Sequence, residues 1–326
     1  MIRTFYVWIL GLCFASPLVH ADEPSGEDYY YGFDVKQDYQ KAYQLFKKEK
    51  YYLYLIIMQL NGEIAGANLE EAQNIFAQWT KGSNNMDSTQ SEVFHILKQR
   101  RAESTKEYRK LGLCDFAMTT MDMNYCTSLE NRIAEKKAHE RVSQLMATLS
   151  PKAQKYLSQI EHDINIIKLR DADCTYLDYM DGTIRRIAYN GSESYINHRH
   201  QERLEKLLEK RILAKFSQED LKQADKELNR VYQQRRTGAR ELFKERQEYG
   251  SEEDKEIMEN LLKEYLSHLK TSQIAWISYR DHWVQLLLIH QPKGFSSEQA
   301  IKTAIATLLT TERTAELLFD PVGPGE

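Results

Sequence analysis

The chain has 326 residues and a net charge of -4, with a pI near 6.2, so it lacks the basic footprint that nucleic-acid phosphates call for. Glycine (14) and proline (6) are scarce against the roughly 7% and 5% of an average protein. Lys, Glu, Leu, Gln and Ala dominate instead, which excludes a turn-rich sheet protein and predicts an all-α fold of long helices.

The first element is "MIRTFYVWILGLCFASPLVHA". Arg3 opens it, an apolar run follows from Phe5 to about Ala15, and the small residues Val19 and Ala21 bracket His20. That is the pattern of a secretory signal spanning 1–21, with cleavage near Ala21 and a mature protein beginning at Asp22. The expected location is periplasmic or secreted. Bulky Leu12 before Cys13 argues against lipid attachment. The run is too short for a bilayer, and no later window reaches the roughly 20 apolar residues of a membrane helix, so the chain is not expected to span a membrane.

Residues 22–80 carry an internal echo. "YGFDVKQDYQKAYQLF" (31–46) is followed by "NGEIAGANLEEAQNIF" (61–76). In each, a Gly-containing turn leads to an Asx residue, Asp38 or Asn68, placed to cap a helix, and then to Ala42 or Ala72 and a closing Phe. Leu69, Ala72, Ile75, Phe76 and Trp79 form the apolar face of the second helix. This segment resembles Sel-type, tetratricopeptide-like helical repeats. Two such units are fewer than a free-standing array needs, so they are expected to lean on the helical region C-terminal to them. "TKGSNNMDSTQ" (80–90) reads as a linker.

The middle region, 81–216, holds Cys114, Cys126 and Cys174, an odd number in an oxidising compartment. Cys114 and Cys126 are the expected disulfide, with Cys174 left free or paired between chains. A continuous helix would hold the first two about 18 Å apart, beyond the roughly 7 Å that a disulfide bridges. Pairing therefore requires the chain to turn back between them; two buried free cysteines are the alternative. Helices are predicted to break at Ser150 and Pro151 and again at "YNGSES" (189–194). "NHRHQERLEKLLEKRILAK" then places Leu204, Leu207, Leu208 and Ile212 at helical spacing. His198 and His200 fall about 200° apart on that helix, so no metal site is expected from them.

Three helices are predicted in 217–326. The first starts at Ser217 with Gln218, Glu219 and Asp220, and sets Asp225, Asn229 and Tyr232 as a polar stripe beside Leu221, Ala224, Leu228 and Val231. In the second, Gln273, Trp276, Arg280 and Trp283 follow spacings that put Arg280 on the stripe of both tryptophans. A guanidinium there is costly without a carboxylate, and the expected partner is Asp225, with Asp281 turned toward Arg313 or solvent. The third opens with Ser296 and Gln299 spaced as a capping box and packs through Ile301, Ala304, Ile305, Leu308 and Leu309, with Arg313 one turn beyond. No nucleophile elbow, zinc-protease or phosphate-loop signature occurs, so no catalytic residues, metal or cofactor are expected and an enzyme acting on peptidoglycan ranks last.

"QADKELNRVYQQ", "SQIAWISYRDHW" and "LLTTERTAEL" are similar to the three successive motifs of the LprI-type lysozyme inhibitor family. With the repeat-like front, the whole resembles longer exported members in which this domain closes the chain. The resemblance implies an antiparallel three-helix domain and a protein partner, with lysozyme as the candidate. Val284 and Ile305 stand where many family members carry cysteines, and "RDADC" (170–174) hints at an earlier, degenerate copy. The stretch 248–264 has seven acidic residues against two lysines. Glu252, Glu253, Asp254, Glu256 and Glu259 are its candidate contacts for a basic muramidase, although a solvated helix face would look the same. An envelope scaffold or assembly factor docking through the repeat-like helices is the second reading.

Overall fold

The computed structural model describes residues 23–82, 85–103, 107–248, 251–295 and 297–321; the signal segment 1–21 lies outside them. The described residues are all-α, with eleven α-helices and no strand. Two hydrophobic cores form, one at each end of the chain.

The first core belongs to α1 (Gly26–Tyr31), α2 (Tyr39–Glu49), α3 (Tyr52–Leu60), α4 (Leu69–Trp79) and α5 (Ser88–Ala102), each packed on the next. Asp38 and Asn68 cap α2 and α4 as their spacing predicts, accepting the Lys41 and Glu71 N–H at 2.9 and 2.8 Å. α3, YLYLIIMQL, is apolar on nearly every side and is accordingly the enclosed helix, with Leu55, Ile56, Ile57 and Met58 buried. Phe46 and Tyr54 stack at 4.2 Å between ring centroids. Gly26 makes room for them, since a Cβ there would lie 2.5 Å from the Phe46 ring.

A single 3₁₀ turn, Leu113–Phe116, carries the chain out of this core, with Phe116 buried inside it. Ala117 is extended and Thr119 caps α6 (Thr120–Thr148), so the chain turns back between the two cysteines. Cys114 and Cys126 form the disulfide, with Cα atoms 5.6 Å apart. Around it α6 grips the first unit: Arg132 pairs with Asp28 at 3.2 Å, Lys136 donates to the Tyr31 carbonyl at 2.9 Å, and the Tyr125 hydroxyl donates to Glu27.

The second core joins two helix triplets, α6 with α7 (Pro151–Asp178) and α8 (Arg185–Arg203), and α9 (Gln218–Glu248) with α10 (Glu252–Ile289) and α11 (Glu298–Leu318). Their middle helices, α7 and α10, make the most extensive contact in the molecule. Pro151 occupies the first position of α7 behind the Ser150 cap, where a missing N–H costs nothing.

Three local expectations are corrected. "YNGSES" does not break a helix; α8 runs through it, and the true interruption is at 179–184. The polar residues there make tertiary contacts instead: Asn131 donates to the Asn190 carbonyl at 2.8 Å, Asn190 donates to Thr127 at 3.0 Å, and Gly191 faces Pro321 so closely that a Cβ would lie 2.9 Å from its ring. The following helix does not reach Lys215. It widens into a π turn over Leu204–Glu209 and stops at Arg211, whose φ is 54°, which leaves Ile212 exposed while Leu204, Leu207 and Leu208 stay buried. The cap of α11 is Ser297, bonded to the Ala300 N–H at 3.2 Å; Ser296 lies outside the described residues.

Candidate functional site

The tryptophan stripe of α10 is core, as its spacing predicts, but Arg280 is not its buried cation. Trp276, Tyr279 and Trp283 are buried, while the Arg280 side chain is 24% exposed, lies 5.1 Å from the Trp276 ring and pairs at 3.3 Å with Asp281, itself 62% exposed. The expected Arg280–Asp225 pair is therefore replaced by a rim pair with the adjacent residue. Asp281 faces solvent rather than Arg313. Asp225 is half-buried and Asn229 exposed, and Tyr232 packs on the core edge under Arg236, 5.9 Å from its ring.

The buried charge sits one helix further on. Arg313 of α11 is fully enclosed and holds Asp171 of α7 at 2.5 Å, Glu316 at 3.3 Å and the Ser272 hydroxyl at 2.8 Å. Glu316 bridges to Arg203 of α8, which also holds Glu312 at 2.6 Å and donates to the Tyr279 hydroxyl at 3.4 Å. That hydroxyl meets His200 Nδ1 at 2.9 Å, and His200 Nε2 meets Glu161 at 2.7 Å. Burial raises the Glu316 pKa, but Arg203 and Arg313 outweigh it and hold the carboxyl below its ordinary value. The cluster thus fastens α7, α8, α10 and α11 by neutralising charge away from water. His198 and His200 face different surroundings, one exposed and near Glu202, the other in this cluster.

Sequence reasoning missed Asp171, Arg203 and Glu316, yet a signal for them exists. "ERLEKLL" (202–208) and "ERTAELL" (312–318) share E-R-x-x-x-L-L, and Arg203 follows the R-D pair of α7 at the same spacing at which Arg313 follows the R-D pair of α10. Equivalent arginines in two copies converge on one network.

The acidic candidates gather at the start of α10. Ser251 and Asp254 form its capping box, and Glu252, Glu253, Asp254, Glu256 and Glu259 are all exposed there. Carboxylates in a first helical turn are favoured by the helix dipole. Glu252 pairs with Lys255 at 2.5 Å and Glu259 with Lys263 at 2.9 Å, and hydrogen bonds from Ser251 lower the Asp254 pKa. The result is an exposed, negatively charged helix end.

Among the described residues no helix is long and apolar enough to cross a membrane, and no group of three or more His, Cys, Asp or Glu residues is arranged to hold a metal ion. No curated protein and no solved structure matches the chain. A family model described as lysozyme inhibitor LprI does match, and it does so twice, over residues 114–207 and 210–317. The first match begins at Cys114 and takes in "RDADC" and α6 to α8; the second takes in α9 to α11. The two triplets of the second core are thus two successive copies of one pattern, and the chain belongs to the lysozyme inhibitor LprI family.

Proposed function

We propose that this chain is an exported binding protein that captures a basic muramidase and inhibits it, and that the acidic start of α10 is the docking end. The observation that carries the reading is the exposure of all five candidate carboxylates on one helix terminus, in a chain whose family is described as lysozyme inhibitor. A cationic enzyme would be steered to such a terminus. The disulfide supports export, because such bonds persist in oxidising compartments. The periplasm or the secreted space is accordingly the proposed location, reached through signal cleavage near Ala21. Binding, not catalysis, is the role the family implies.

Titration with a basic lysozyme at low and high salt tests this. The expected result is inhibition of muramidase activity with an affinity that falls as salt rises, since exposed charges are screened beyond roughly 8 Å at physiological ionic strength. Neutralising Glu252, Glu253, Glu256 and Glu259 to glutamine should weaken binding and flatten its salt dependence. Asp254 is kept in that variant because its capping box with Ser251 starts the helix. Binding indifferent to salt and to these changes would move the site elsewhere. A chain that neither binds nor inhibits any lysozyme at low salt would leave the scaffold reading, with docking through the repeat-like helices α2 to α4 of the first core.

A further inference from the structure

The first turns of α9 and the second half of α11 enclose a groove of 380 Å³, inside the roughly 300 to 1,000 Å³ of ligand pockets. Asp220, Ala224 and Glu227 line it from α9 at helical spacing, and Thr307, Thr311 and Thr314 line it from α11, with Phe216 adding an aromatic edge.

Its polar atoms are nearly all acceptors. The Thr307, Thr311 and Thr314 hydroxyls donate to the carbonyls of Thr303, Thr307 and Thr310 at 2.8, 2.9 and 3.0 Å, so their protons are spent inside α11 and oxygen lone pairs are what remains for the groove. The carboxylates of Asp220 and Glu227 accept and do not donate. Among the described lining residues the exposed Gln223 amide is the one side-chain donor left over, and none is a cation. At each end the chain supplies the missing donors itself. Gln218 donates to Thr303, one turn before Thr307, at 2.5 Å, and the Arg230 guanidinium donates twice to Glu227 at 2.8 and 2.6 Å.

We infer that the stretch between those two ends receives a lysine or arginine side chain of a basic protein partner. Both are donors without acceptor capacity, which matches a wall of acceptors with two carboxylates. Their aliphatic stems suit the apolar surface of Phe216 and Ala224. The groove lies about 30 Å along α9 from the start of α10, so it is a second site, independent of the acidic helix end.

The full disulfide-bonded chain, methyl-labelled at alanine and threonine, is titrated with capped arginine amide and capped lysine amide, and with capped glutamine amide as a neutral control. Saturable shifts at Ala224, Thr307, Thr311 and Thr314 are expected from the cationic probes and none from the neutral one. Glu227→Gln with Thr311→Val should weaken binding about tenfold, as loss of a charge-assisted hydrogen bond does. Ala224→Leu, which fills the groove and leaves every charge in place, should abolish it, with circular dichroism unchanged in both variants. Absent shifts, equal shifts with the neutral probe, or shifts that survive Ala224→Leu overturn the site. Tighter binding of spermidine than of either amide would overturn the assignment to a protein side chain. The variant with Glu252, Glu253, Glu256 and Glu259 changed to glutamine should keep the shifts in full, and their loss there would overturn the independence of the groove. Failure to bind lysozyme, with these shifts intact, removes the muramidase reading and leaves this site standing.

Discussion

Arg313→Ala should lower unfolding stability by about 3 to 5 kcal/mol, the cost of removing one partner from a buried charge cluster. The substitution leaves Asp171 with only the Ser272 hydroxyl and the buried Glu316 with only Arg203 to compensate it. Total stabilities are about 5 to 15 kcal/mol, so the loss is a large share of the whole. Denaturant melts measure it. Combining Arg313→Met with Asp171→Leu should cost clearly less than the two single changes added together, because the second change removes the charge that the first exposes. Arg280→Ala, by contrast, breaks only a rim pair and a contact over Trp276, together worth about 1 kcal/mol. Equal costs at Arg280 and Arg313 would mean that the buried network is misplaced.

The same network sets a pH dependence with a definite sign. The carboxyl of Glu316 titrates below its ordinary value of 4.5 in the folded chain. Its contribution is therefore fully present above pH 4.5 and is lost as pH falls from there through the depressed folded value. Unfolding monitored from about pH 7 downward should show that acid limb, and Glu316→Gln should make the limb shallower while lowering stability at neutral pH. An unchanged limb would place the acid sensitivity in other carboxylates.

Removing the disulfide by Cys114→Ser with Cys126→Ser should cost about 3 kcal/mol in the chain-entropy account of a loop this short. The loss should not be uniform. Cys114 lies in the turn that packs on the first core, and Cys126 lies in α6 of the second, so the bond joins the repeat-like unit to the first family copy. Hydrogen exchange should show α1 to α5 losing protection together, while the α7–α10 contact keeps its own. Rapid exchange throughout both cores would instead mean that the two units fold as one.

Much of this architecture is legible in the chain itself. The scarcity of glycine and proline, the Asx caps at Asp38 and Asn68, the Ser150-Pro151 start of α7 and the apolar stripes of α10 and α11 are local features, and local backbone chemistry decides them. The reversal between Cys114 and Cys126 is legible too, because helix geometry forbids their pairing without it. The sequence misleads where a residue's role depends on a distant neighbour. "YNGSES" has the composition of a turn, yet Asn190 and Gly191 serve contacts with α6 and Pro321 that hold the helix continuous. Arg280 and Arg313 both stand on stripes that a helical wheel cannot rank by depth. Only the packing of α7 against α10, with α8 and α11 drawn over it, encloses Arg313 and leaves Arg280 at the rim. Sequence periodicity determines which face of a helix is apolar; which of its charges loses its water depends on the helices that close over it, and that was decided by the tertiary structure alone.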